Sequence, residues 1–170
     1  ERDVRYILKK AILKAKSMGI SVNFGSEFEF YLFKQDENGE NTYVPLDHAG
    51  YMDISPLDKG ENVRREICLT LSEMGIDPEV SHHEMGPGQN EIDFRYSSAL
   101  QAADNAATFK WVVKAIANMQ GLVADFSPKP LEDQPGNGMH INMSVDQHEE
   151  LLMPFMAGIL NRIEEMTAFL

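Results

Sequence analysis

The chain's 170 residues fit a single domain, with two small ones as the other option. At 43% apolar and 25% charged residues it is too apolar for disorder and long enough to bury a sizeable core. Fifteen Lys and Arg against 27 Asp and Glu leave a net charge of −12. That acidity argues against non-specific nucleic-acid binding and against docking on an anionic membrane. The lone cysteine, Cys68, excludes an internal disulfide and suits a reducing, cytoplasmic compartment. No stretch approaches the ~20 apolar residues of a membrane span, and no signal peptide is visible. The chain opens inside a helical pattern without Met and closes with a helix still running, so it reads as a piece of a longer protein.

Residues 1–18 set Val4, Ile7, Leu8, Ile12 and Leu13 near helical spacing, closed by Gly19. Residues 22–33, Phe-rich and alternating, predict a strand, and the polar 34–50 stretch a hairpin around Asn38-Gly39. A helix over 58–74 ends at Gly75, and the charges over 59–65 read as its solvated face. Strands over 77–85 and 89–96 flank Gly86-Pro87-Gly88. A third helix over 98–120 starts at a Ser98 cap and stops before Gly121. A short strand over 122–126, a Pro- and Gly-rich loop over 127–138 and a strand over 139–145 follow. A Met-rich helix over 149–170, interrupted or started late by Pro154, ends the chain. The strand pairs lie too close for parallel crossovers, which predicts an α+β fold with a largely antiparallel, curved sheet and flanking helices.

The informative pattern is where the acids fall. Alternate residues of a strand share a face, so Glu27 and Glu29 lie together opposite Phe28, Phe30 and Leu32. By the same parity His82 goes with Glu84, and Glu91 and Asp93 oppose Ile92 and Phe94. His140, Asn142 and Ser144 oppose Met139, Ile141 and Met143. One such strand is what any half-solvated antiparallel sheet carries. Four with Glu dominant and Lys absent are unusual, because like charges on neighbouring strands repel. Arg95 is the one nearby cation, so a divalent metal is the simplest counter-charge. Glu27 and Glu29 would stand roughly 6.5–7 Å apart along the strand, a spacing that suits two neighbouring ions. Oxygen ligands with one imidazole favour Mg²⁺ or Mn²⁺ over zinc, and paired hard metals equip phosphoryl transfer. His82 is placed to orient Glu84, whereas His83 reads as packing or surface and Cys68 as core. The glycine-bearing turns at 86–88 and 136–138 abut these strands and permit close ligand approach. They lack the Gly-Lys-Ser/Thr of a P-loop.

In order along the chain, GSEFEF (25–30), HHEMGPGQNE (82–91), SPKP (127–130) and GNGMH (136–140) resemble the signature blocks of the glutamine synthetase catalytic domain. YMDISPLD (51–58) and Ala103-Asp104 match its connecting blocks. The resemblance covers residues 1–170, read as the first half of that domain without its C-terminal half or the family's N-terminal β-grasp domain. It implies the family's antiparallel α+β fold. It also implies ATP-dependent ligation of ammonia to the γ-carboxylate of glutamate through γ-glutamyl phosphate, at a two-metal site. By matched position, Glu29, Glu84 and Glu91 would hold the Mg²⁺ or Mn²⁺ that orients the amino-acid substrate. Glu27 and His140 would hold the ion that neutralises the transferring phosphoryl group. Glu79, Asn142 and Ser144 fall at positions used around ATP, and Gly136 at a glutamate-contacting position. A homo-oligomeric ring is implied for the full-length parent.

The departures from the family pattern matter. Pro135 stands where the family usually has Asn, Asn142 where some members have His, Ser127 for a Met and Asp125 for a Thr. The Pro135 change leaves a γ-glutamyl–amine ligase using another amine as the alternative. A non-catalytic family member is a third reading, against which the presence of Glu27, Glu29, Glu84, Glu91 and His140 weighs. The chain stops before the family's substrate-binding arginines, glutamate flap and third ligand of the second metal, so it is expected to bind metal yet be inactive alone. Met153, Phe155, Met156, Ile159 and Phe169 are expected to form an exposed apolar surface prone to non-native pairing.

Overall fold

β1 (Val22–Gln35) is the hub of the computed structural model, which describes residues 2–146 and 149–168. α1 (Val4–Ser17) precedes it, and β2 (Asn41–Pro45), α2 (Glu61–Glu73), β3 (Pro78–His83) and β4 (Gln89–Ser98) follow. Then come α3 (Ala99–Met119), β5 (Leu122–Asp125), β6 (Met139–Val145), a 3-10 turn (Glu149–Leu151), α4 (Leu152–Leu160) and α5 (Ile163–Met166). Among the described residues six strands form one sheet and every pairing is antiparallel, as the short connections require. Tyr31 faces both β4 and β5, Phe33 both β2 and β5, and residues 23–28 both β4 and β6. One edge of β1 is therefore shared by β4 and β2 and the other by β6 and β5, with β3 outside β4.

The even-numbered residues of β1 build the core. Phe28, Phe30 and Leu32 are buried together with Ile92 and Phe94 of β4, Ile67 and Leu71 of α2, and Phe109, Val113 and Ile116 of α3. Phe109 stacks on Phe28 at 5.0 Å between ring centroids and meets the edge of Phe30 at 6.3 Å. Both helices thus lie on one face of the sheet, and the face bearing the odd-numbered acids is left for other use.

Some expectations need correction. The 149–170 helix is interrupted as expected, but not at Pro154, which sits in the first turn of α4, where it costs no hydrogen bond; the break falls between α4 and α5. Met153 and Met156 are exposed and Phe155 and Ile159 half-buried, while Glu1 and Phe169 lie outside the described residues. Ser98 occupies the N-cap of α3 without any side-chain capping bond. The apolar row of β6 (Met139, Ile141, Met143) is exposed, because α2 and α3 cover the sheet only as far as β1 and β5. The charges over 59–65 are not uniformly solvated, since Arg64 is buried. Among the described residues no helix is long and apolar enough to cross a membrane.

Phe109 joins strand and helix layers. Truncating it to Ala should cost about 3–5 kcal/mol, read as a lower urea midpoint with unchanged slope. A loss below about 1 kcal/mol would place the core elsewhere.

Candidate metal centre

Pairing register assembles the acidic face. Glu27 lies directly opposite Asp93 of β4 and, on its other side, His140 of β6. Glu29 lies opposite Glu91, which itself lies opposite His82 of β3. The acids and imidazoles of four strands therefore share one surface, in two adjacent rows.

In the first row His82, Glu84 and Glu91 present ligand atoms all within 4.8 Å of one another. Glu84 follows the last residue of β3, and its N–H donates to the Gln89 carbonyl at 2.8 Å, folding it back over the hairpin. His82 stands between the two carboxylates, with Nδ1 3.7 Å from Glu84 and Nε2 3.7 Å from Glu91. Its Nδ1 is also 3.1 Å from the His83 carbonyl, a contact that needs the hydrogen on Nδ1 and leaves Nε2 free to accept or ligate. Burial, the hydrogen bond with Glu84 and the charges of Asp93 and Glu84 push the Glu91 carboxyl up to about 8. Carboxyls this close hold either a shared proton or a cation between them. The oxygen-rich donor set and its spacing fit a hard divalent ion with bonds of roughly 2.1–2.4 Å.

The second row is looser. His140 Nδ1 is 3.0 Å from Glu27 Oε2, and Asn142 donates to Glu27 Oε1 at 2.5 Å. Among the described residues Glu27 and His140 are joined by no third ligand in a compact set. Asp93, opposite Glu27, has a carboxylate oxygen that is buried and without a hydrogen-bond partner. Burial first, and then the charge of Glu27, raise its pKa.

Glycine supplies the space between the rows. A Cβ on Gly138 would lie 2.6 Å from Glu29 Oε1 and 3.1 Å from His140 Nε2, so any side chain there would fill the gap between them. A Cβ on Gly86 would lie 2.0 Å from the Tyr31 hydroxyl, which donates to the Pro135 carbonyl at 2.7 Å. Gly136, on the same loop, is half-buried.

The three nucleotide-position residues do not meet. Asn142 and Ser144 stand on β6 opposite Gly25 and Asn23, whereas Glu79 is exposed in a bulge of β3. Three strand spacings separate those strands, about 14 Å.

Sequence reasoning missed a buried polar network beneath the site. His83, read as packing or surface, is fully buried, with Nε2 2.9 Å from Asp47 and Nδ1 2.6 Å from the Glu84 carbonyl. Both partners are acceptors, so the ring carries both protons. Asp47 also accepts the N–H groups of Ala49, Lys59 and Gly88. Arg64 pairs with Asp58 at 2.6 Å and donates to Asn90 at 2.6 Å. Asp47, Asp58 and His83 also lie within 4.8 Å, but Arg64 and His83 already neutralise them. Asp47 and Asp58 sit in turn-rich sequence and resemble ordinary turn formers, so only the three-dimensional pairing identifies them.

The family model described as "Glutamine synthetase, catalytic domain" matches residues 1–170. The glutamine synthetase of Clostridium saccharobutylicum is 48% identical over 182 aligned positions, 99% of this chain and 41% of that protein. That of Methanosarcina mazei is 46% identical over 180, covering 98% and 40%. Among solved structures, "GmaS/ADP complex-Conformation 1" aligns with a TM-score of 0.74 and 34% identity over 83% of this chain and 33% of that one. Plasmodium falciparum glutamine synthetase, solved by cryoEM, aligns at 0.73 and 29% over 83% and 33%. The chain belongs to the glutamine synthetase catalytic-domain family, and it spans about two-fifths of the length of those curated relatives.

Burial opposes ionisation of Asp47, but the His83 hydrogen bond, the backbone donors and the His83 charge together hold it down at about 2. Burial also opposes charge on His83, yet bonds to Asp47 and the Glu84 carbonyl and the nearby carboxylates raise it above its ordinary 6.5. Asp47 therefore contributes stability that is complete above its ordinary 3.8 and is lost as pH falls toward 2. His83 contributes below 6.5 and loses its share as pH rises through its folded value. Urea unfolding against pH should show Asp47→Asn with a shallower acid limb than wild type. Identical acid limbs would contradict the pairing.

Proposed function

We propose that this chain carries the metal cradle of an ATP-dependent ligase that joins ammonia to the γ-carboxylate of glutamate through γ-glutamyl phosphate. The observation that carries the reading is the compact set of His82, Glu84 and Glu91, with Glu29 opposite Glu91 in the register and Glu27 beside His140 on the same face of the sheet. Family membership and the ADP bound by the similar GmaS structure support the nucleotide.

In this reading Glu29, Glu84 and Glu91 hold one Mg²⁺ or Mn²⁺, with His82 orienting Glu84 or joining it. Glu27 and His140 hold the second. When bound, the ions supply neutralisation of phosphate charge and orientation of the glutamate. The γ-carboxylate oxygen attacks the terminal phosphorus of ATP and ADP leaves; ammonia then attacks the acyl carbon and phosphate leaves. Glu27 and His140 face the transferring group, Asn142 fixes the Glu27 carboxylate, and Ser144 and Glu79 flank the nucleotide. The loop at Gly136 approaches the glutamate. Pro135 offers no side-chain amide and its carbonyl is taken by Tyr31, which favours a second reading: another amine in place of ammonia. With two protein ligands for the second ion, the isolated 170 residues should bind metal without measurable turnover.

Titration with Mn²⁺ in a calorimeter should give heat, and saturating Mn²⁺ at ~100 times its Kd should stabilise the fold by about 2.7 kcal/mol. Glu84→Gln combined with Glu91→Gln should weaken binding at least tenfold, about 1.4 kcal/mol. No heat and no thermal shift in wild type would defeat the proposal.

A further inference from the structure

Gln89 is fully buried, an uncommon state for a glutamine, and its amide makes four polar contacts on three segments. Its Nε2 donates to Glu29 Oε2 at 2.9 Å, to the Gly136 carbonyl at 3.0 Å and, more weakly, to Asn137 Oδ1 at 3.2 Å. Its Oε1 accepts the Gly86 N–H at 2.9 Å. The partners fix the amide's orientation without ambiguity: three are acceptors and one is a donor. With two hydrogens for three acceptors, the longest contact is shared.

We propose that Gln89 is a positioning residue that ties the Glu29 carboxylate to the 136–138 loop, so that metal binding and loop closure are one event. The inference rests on the metal-site reading above and extends it to the loop. Among the described residues, the other hydrogen bond between Glu29 and the loop is that of its backbone N–H to the Gly138 carbonyl at 3.1 Å. A carboxylate held by an amide hydrogen bond keeps a fixed lone-pair direction, so a cation on its other oxygen and the amide on this one favour the same carboxylate orientation. Fixing the Glu29 carboxylate fixes the amide, and with it the hydrogen bond to the Gly136 carbonyl. By linkage, a ligand that orders the loop must tighten metal binding equally.

The Asn137 N–H, bonded to the Pro128 carbonyl at 2.9 Å, reports loop closure through hydrogen exchange. In the wild-type chain, saturating Mg²⁺ should slow exchange over 136–138 severalfold. Gln89→Met keeps the length and removes the amide; it should lose that slowing and weaken Mn²⁺ binding about tenfold. A variant that were only a packing defect would change the unfolding midpoint and leave the Mg²⁺ dependence of exchange in place. Equal Mn²⁺ affinity with equal slowing in Gln89→Met would overturn the proposal. If wild type binds no Mn²⁺, the metal-site reading fails separately, and metal-free exchange decides on Gln89. Faster exchange at Asn137 in the variant supports the tether, and equal exchange refutes it. Should Gln89→Met not fold, the wild-type measurement stands alone: exchange indifferent to bound Mg²⁺ refutes the coupling.

Discussion

Glutamates on neighbouring strands repel one another, and the hydrophobic register of β1 is what holds them together. Phe28, Phe30 and Leu32 are buried against Ile92, Phe94 and Phe109, so their alternation fixes which residues of β4 and β6 oppose them. A slip of one residue would bury Glu27 and Glu29 and turn the phenylalanines to solvent. The cost of that slip, several large apolar side chains at roughly 1.5–3 kcal/mol each, exceeds what separating surface carboxylates would gain. The acidic rows are thus a consequence of the aromatic core on the opposite face.

Register alone does not place Glu84 or the loops. That task falls to the buried polar network, in which every charge has a partner: His83 with Asp47, Arg64 with Asp58, and Asn90 bridging Arg64 to the Gly88 carbonyl. Asp47 gathers backbone N–H groups from Ala49, Lys59 and Gly88, so the 46–60 segment and the 84–88 turn are tied at one carboxylate. Breaking such a set from one side leaves an uncompensated buried charge, which explains its completeness. Gln89 and Tyr31 repeat the arrangement with neutral groups under the 135–138 loop.

The sheet and its acidic face were legible in the sequence because one face is buried, and burial writes itself as alternation. Glu27, Glu29, Glu91 and His140 fall where parity puts them, and Glu84 stays with His82. What alternation cannot carry is pairing across long sequence separations. Arg64 looks like one more helix-surface charge until Asp58 and Asn90 close on it. His83 differs from His82 by one position yet faces the interior, and Gln89 shares the parity of Glu91 without revealing its four contacts. The exposed apolar row of β6 shows the converse: alternation marks a face, not whether anything covers it.

In the proposed function two hard ions bind in adjacent rows on this one face. Crystals soaked in Mn²⁺ and measured at the manganese absorption edge address it most directly. The account predicts one anomalous peak among Glu29, Glu84 and Glu91 and a second beside Glu27 and His140. Manganese found only at scattered surface acids, with that face bare, would contradict it.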